Sequence, residues 1–178
     1  MNNSLENPVG IDEPLERIKD TLYSKLSSMW SGEIDAFGRV YKKRTSNAYK
    51  PQWWDKTILE YKDVRYNDDV AATFCFIESE KHDSEDGLVY TSDVKCVFMV
   101  NLNRILPDYI ERADEKAKVD VVNILRNNLF GMYQMNGSER GVRNVFNGFE
   151  TVNILDTDIQ PKHCFSVNIN LSYYINCS

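Results

Sequence analysis

Phe165-Ser166-Val167-Asn168-Ile169-Asn170-Leu171-Ser172-Tyr173-Tyr174-Ile175-Asn176 is the stretch that decides the fold. Phe165, Val167, Ile169, Leu171, Tyr173 and Ile175 alternate without a break with Ser166, Asn168, Asn170, Ser172, Tyr174 and Asn176. Successive side chains of a strand point to opposite faces, so this is a strand with one apolar face and one face of hydroxyls and amides. At about 3.3 Å per residue it would run to roughly 40 Å, against a usual length of about 5–6 residues. A strand of that length either bends within its own domain or projects past it.

Two further runs supply partners. Phe74 to Ile77 and Val94 to Leu102 are apolar and rich in β-branched and aromatic residues. In the second, Val94, Cys96, Phe98, Val100 and Leu102 share one side while Val97 and Met99 lie on the other, which predicts a strand covered on both faces. Between the two runs, residues 79–92 hold Glu80, Asp83, Glu85, Asp86 and Gly87, and read as a long acidic loop joining an antiparallel pair. An earlier strand is expected over Ala36 to Lys43, early in the sheet or at its edge, with a basic end. Residues 44–60, with Ser, Asn, Pro and the pair Trp53-Trp54, read as a long irregular loop, and loops of more than about 12–15 residues are usually functional or disordered. Gly131 to Gly148 reads as a loop with some short structure inside, and Thr151 to Leu155 as a short strand.

Helical spacing occurs twice. Leu15, Ile18, Leu22, Leu26 and Met29 form one apolar stripe, with Asp12 or Glu13 as a cap, Pro14 in the first turn and Ser31-Gly32 at the end. Ala113, Ala117, Val121, Ile124 or Leu125, and Leu129 form another, closed by Gly131 as a C-cap. The expected fold is therefore α+β: an antiparallel sheet with two amphipathic helices, about 14–30 and 111–130, on one face. Residues 1–11 read as a flexible N-terminal arm, and residues 12–178 as one domain.

Composition narrows the function classes. A chain of 178 residues is about one domain. No apolar run approaches the roughly 18–20 residues of a bilayer span, so no membrane contact is expected. Met1 to Val9 lack the basic and apolar regions of a secretory signal, which predicts synthesis in a cytoplasm. Cys75, Cys96, Cys164 and Cys177 are dispersed and read as reduced, buried thiols.

No catalytic signature stands out. His82, in the acidic loop, fails the spacing of a calcium loop. His163-Cys164 beside Asp156 and Asp158 lacks the further ligands of a zinc tetrad and the orienting group of a Cys-His pair. Neither phosphate-cradling glycine pattern occurs, nor GxSxG, nor HExxH. The expectation is no enzyme, no metal and no cofactor.

Charge is the informative feature. The net charge is −6, yet residues 39–65 carry eight cations (Arg39, Lys42, Lys43, Arg44, Lys50, Lys56, Lys62, Arg65) against Asp55, Glu60 and Asp63. That stretch is +5 and the remainder −11. Tyr41, Tyr49, Trp53, Trp54, Tyr61 and Tyr66 interleave with the cations. Rings that stack on bases beside cations that track phosphates make a single-stranded nucleic-acid module one reading. A protein interface is a second, because Trp, Tyr and Arg dominate binding hot spots. A surface loop folding its rings onto its own domain is the third. The acidity of the rest of the chain favours protein contact. The expected subunit-interface residues are Lys42, Lys43, Arg44, Tyr49, Trp53 and Trp54 on one side and Glu80, Asp83, Glu85 and Asp86 on the other. A patch that meets a different patch is heterologous and closes into rings or runs into tubes.

An N-terminal amphipathic helix, a hairpin-rich sheet, a second helix and a terminal strand occur here in an order that resembles the tail-terminator and tail-completion proteins of tailed bacteriophages. The strings Ala36-Phe37-Gly38-Arg39-Val40-Tyr41, Glu60-Tyr61-Lys62-Asp63-Val64 and Leu171-Ser172-Tyr173-Tyr174-Ile175-Asn176 are also similar to virion structural proteins of crAss-like phages. The resemblance implies a tail-terminator-like fold and a structural subunit of a ring of six or twelve copies in a head-to-tail connector or tail. Identical subunits and neighbouring connector, portal or tail proteins would be its partners. It also implies a place in the virion, with DNA passing the lumen without sequence-specific contact, past a surface that is polar or acidic. It carries no catalytic residues.

Overall fold

The computed structural model describes residues 1–46, 48–128, 133–152, 154 and 159–175. In chain order the elements are α1 (Asp12–Met29), β1 (Ile34–Arg44), β2 (Tyr49–Asp55), β3 (Glu60–Asp63), β4 (Ala72–Asp83), β5 (Val89–Asn101), α2 (Leu102–Ile105), α3 (Ala113–Asn128), β6 (Tyr133–Arg140), α4 (Val142–Val145) and β7 (Lys162–Tyr174). The strands form one sheet in the order β3-β2-β1-β4-β5-β7-β6. The α+β class stands, but the sheet is mixed rather than antiparallel, because β1 and β4 run parallel, with Ala36 opposite Phe74. The physical reason is the β2–β3 hairpin. It takes up the far side of β1, so the chain must cross back through residues 64–71 and enters β4 in the direction of β1. Val64 and Val70 are buried along this crossing, and the Ala71 N–H donates to Glu33 O at 2.8 Å.

The long terminal strand is β7, paired along its whole length with β5 from Asn101↔Lys162 to Val89↔Tyr174. Phe165, Val167, Ile169, Leu171 and Tyr173 enter the core beneath α1 and α3, beside Val94, Cys96, Phe98 and Val100 of β5. Phe98 is the centre of this layer, stacked on Phe74 at 5.4 Å and on Phe165 at 5.1 Å. Leu15, Ile18, Leu22 and Leu26 of α1 and Ala117, Val121, Ile124 and Leu125 of α3 close it from above. The indole N–H of Trp30 donates to Asp120 at 3.1 Å and ties the helices together. Met29 stays half-exposed, and Trp30 takes the last place of the expected stripe. Gly32 then turns the chain at φ +81°, where a β-carbon would stand 2.7 Å from that of Ala71. The end of the second expected helix, Leu129 to Gly131, lies outside the described residues.

Val97 and Met99 belong to a second core on the opposite face, with Phe37, Val40, Trp53, Cys75, Ile77 and Cys164, covered by Val142, Val145, Phe146 and Ile154. The short α4 fits the short structure expected within Gly131 to Gly148, but the same stretch also holds β6, a strand of eight residues at the edge of the sheet. Thr151 and Val152 form no strand, and Asn153 and Leu155 lie outside the described residues.

Three further expectations are corrected. β1 is an interior strand, and the edges are β3 and β6. The loop expected at 44–60 is mostly strands β2 and β3, whose pairing runs from Gln52↔Asp63 to Asp55↔Glu60. Pro51 disguised β2. It sits just beyond this pairing, where its carbonyl takes the Val64 N–H at 2.8 Å. The loop expected at 79–92 is the outer part of the β4–β5 hairpin, with only residues 84–88 left to turn.

The N-terminal arm is docked, not loose. The Ala36 N–H donates to Met1 O at 2.8 Å and the Asn3 N–H to Ala36 O at 3.0 Å, extending β1 on the side that β2 leaves open. The side chain of Asn3 donates to Trp54 O at 2.6 Å. Beneath it Lys19 is wholly buried, its ammonium donating to Asn3 O at 2.5 Å and to the Glu16 carboxylate at 2.6 and 2.8 Å. A buried cation needs acceptors, and the arm supplies one.

Candidate interaction surface

Because β1 and β4 are parallel, the β1–β2 and β4–β5 hairpins turn at the same end of the sheet. The first is basic. Lys43 stands directly opposite Lys50, and Arg44 opposite Tyr49. Like charges opposed across two strands destabilise the pair. Among the described residues, Lys43, Arg44 and Lys50 make no ion pair. The second hairpin is acidic, with Glu80, Asp83, Glu85 and Asp86 all exposed. Beside its tip two large side chains are exposed to solvent, Leu88 of the turn (66 %) and Tyr174 of β7 (65 %), which stands opposite Val89.

The acidic hairpin is internally fixed. The Asp86 carboxylate accepts the Leu88 and Val89 N–H groups at 2.8 and 2.9 Å, and these bonds hold its pKa below the ordinary carboxylate range. The Ser84 hydroxyl accepts the Gly87 N–H at 2.8 Å, and Lys81 pairs with Asp83 at 2.9 Å. His82 shares a hydrogen bond of 2.7 Å with the Tyr173 hydroxyl.

The structure divides the expected interface residues. Lys42 already pairs with Glu80 of its own chain at 3.2 Å. Trp53 is 5 % exposed and stacks on Phe37 at 4.1 Å, so it is a core residue and not a contact residue. Trp54 points to the other face, where its ring meets Tyr61 at 5.0 Å, and Tyr61 meets Tyr41 at 5.0 Å. Several cations of the segment are spent within the chain. Arg39 holds Asp12 at 2.8 Å and Glu78 at 2.5 Å. Burial works against its charge, but the hydrogen bonds and charges of those two carboxylates win and raise its pKa. Lys62 pairs with Asp55 at 2.7 Å and Lys56 reaches Glu6 at 4.0 Å. The basic and acidic surfaces therefore stand side by side. A contact in which the basic hairpin of one copy meets the acidic hairpin of the next head to tail needs them on different sides of the subunit.

Chemistry elsewhere is sparse. Among the described residues no three His, Cys, Asp or Glu side chains converge as a metal site. His163 stacks on Phe165 at 5.6 Å, and Asp156 and Asp158 lie outside the described residues. Cys75, Cys96 and Cys164 are buried, and burial pushes Cys75 up to about 12. No described helix is long and apolar enough to cross a membrane.

No family model, curated protein or solved structure matches this chain.

Proposed function

We propose that this chain is a structural subunit of a homo-oligomeric ring, in the connector or tail of a tailed bacteriophage that its element order resembles. In this proposal its two charged hairpins are the contact to another copy. The observation that carries the contact is the opposed, unpaired Lys43 and Lys50 beside an exposed acidic hairpin on the same end of one sheet. A second copy related by a two-fold axis sets acid on base and base on acid in one contact, and brings Leu88 and Tyr174 out of water. Such a contact pairs copies end to end, while the ring itself closes through other surfaces. The mass in solution, measured by light scattering across a range of protein concentrations, tests it. Association that weakens with added salt supports the reading, and a strict monomer at high concentration and low salt refutes it.

The alternative, a single-stranded nucleic-acid module, draws on the rings of Tyr41, Trp54 and Tyr61 lying on the face of Lys43 and Lys50. The acidic hairpin weakens it. Strands lie about 4.8 Å apart, which puts that hairpin within roughly 10 Å, about one screening length at physiological salt. Titration with an oligothymidylate at about 50 and 200 mM salt separates the readings, since phosphate contacts give a steep salt dependence.

A further inference from the structure

The polar side of β7 lies beneath an open trough. Ser166 is wholly buried and Asn168 half-buried, so this side of the strand is not a solvent face. Ile77, Lys95 and Asn168 stand opposite one another across β4, β5 and β7, and Asp93, two places away on β5, stands opposite Asn170. Ile77, Lys95, Asn168 and Asp93 floor a trough of about 380 Å³, walled by Asn147 and Phe149 just beyond α4.

The floor is fixed by its own bonds. Glu139 takes the Lys95 ammonium at 2.7 Å and an Asn168 amide N–H at 3.0 Å, and the Asn168 carbonyl takes the Ser166 hydroxyl at 2.9 Å. Lys95 also reaches the Asn144 carbonyl at 3.3 Å. One oxygen of the Asp93 carboxylate accepts the amides of Asn170 at 2.9 Å and Asn136 at 3.3 Å. Apolar side chains would cover this part of the sheet without the cost of desolvating polar groups. Polar groups held in place by their neighbours are what a ligand site requires.

What the trough leaves over defines the ligand. Both its cations are matched, Lys95 by Glu139 and Lys42 by Glu80 at 3.2 Å, while among the described residues Asp93 pairs with no cation. An anion would meet Asp93, and an ammonium would stand beside Lys95. The unspent capacity is a mixture of donors and acceptors. It comprises the second oxygen of Asp93, the second N–H of the Asn168 amide, and Asn147, which among the described residues makes no side-chain hydrogen bond. Hydroxyl groups suit such a mixture, because each gives one hydrogen and accepts another. Ile77 and the half-buried Phe149, with Lys42 over its ring at 5.7 Å, supply apolar surface for C–H groups.

We propose that this trough binds a neutral sugar, with Asp93, Asn147 and Asn168 holding its hydroxyls. Lys43, Lys50, Asp83 and Glu85 do not line it, so the site is independent of the contact between copies.

An array of neutral glycans probed with the full chain, followed by calorimetry on the glycan that binds best, tests it. Saturable binding is expected, unchanged between about 50 and 200 mM salt because no ion pair forms. Asn147→Ala removes a side chain that bonds to no described residue, so the thermal midpoint stays in place while affinity falls about fivefold. Asp93→Ala should weaken binding by more than about tenfold, the loss expected of a hydrogen bond to a charged group. An array on which no neutral glycan binds overturns the proposal. So does unchanged affinity in Asn147→Ala, a steep salt dependence, or tighter binding of a charged glycan or of spermidine.

Discussion

Two lysines of this chain sit in opposite circumstances. Around Lys19, charge is buried and every partner is in place: Glu16 alongside it on the helix, and the Asn3 carbonyl brought in by the N-terminal arm. Around Lys43, charge is exposed and opposed by a second lysine, and among the described residues no carboxylate pairs with it. The first arrangement is complete within one molecule. The second is stable only because water screens it, and it improves when a carboxylate arrives from outside. The difference teaches where to look for an interface: at the group the fold leaves dissatisfied rather than at the residue with the largest ring.

The largest expected effect is at the complete site. Lys19→Ala leaves Glu16 buried without its cation and should destabilise the chain by roughly 3–5 kcal/mol in denaturant titration. A loss below about 1 kcal/mol would mean that water reaches the pair. Next comes alkaline pH. The native thiols of Cys75 and Cys96 hold their protons because burial raises both pKa values above the ordinary 9.0. The unfolded thiols ionise first, so stability is fully present below pH 9 and falls as pH rises towards 12. The slope should approach about 1.4 kcal/mol per pH unit for each thiol. Cys75→Ala should remove one share of that slope. Lys19 works in the opposite sense, since burial lowers its pKa and favours the native state as pH climbs towards 10.5.

At the acidic hairpin, Asp86→Ala removes the acceptor of two backbone N–H groups and should lower the thermal midpoint. The smallest effect on the monomer belongs to the dissatisfied site. Lys43→Glu replaces a like-charge opposition with an attraction to Lys50, and should stabilise the isolated chain by about 0.2–1 kcal/mol. Destabilisation would show that the pair is better solvated than its register suggests.

Much of the fold was legible in the sequence because its signals are periodic. The alternation from Phe165 onward gave β7, the two faces of Val94 to Leu102 gave a doubly covered β5, and the stripes of α1 and α3 gave the helices. The parallel pairing of β1 with β4 was not legible, since it depends on where the β2–β3 hairpin lies in space. Pro51 hid β2, and the acidic residues of 79–83 hid the outer β4, because charge on an exposed strand resembles charge on a loop. The arm looked loose because its anchors are backbone groups and one lysine sixteen positions away from Asn3. Within the basic and aromatic segment, sequence could not tell Trp53, which is buried, from Trp54. Neighbours in a strand face opposite ways, and only the register decides which one is buried.

Mass against concentration for the wild-type chain and the Lys43→Glu, Lys50→Glu double variant bears most directly on the contact between copies. The wild type should associate above the monomer mass at low salt, and the double variant should not. Adding Asp83→Lys and Glu85→Lys to the double variant should restore association by exchanging the signs. A wild type that stays monomeric, or a double variant that associates as before, would contradict the pairing of the two hairpins.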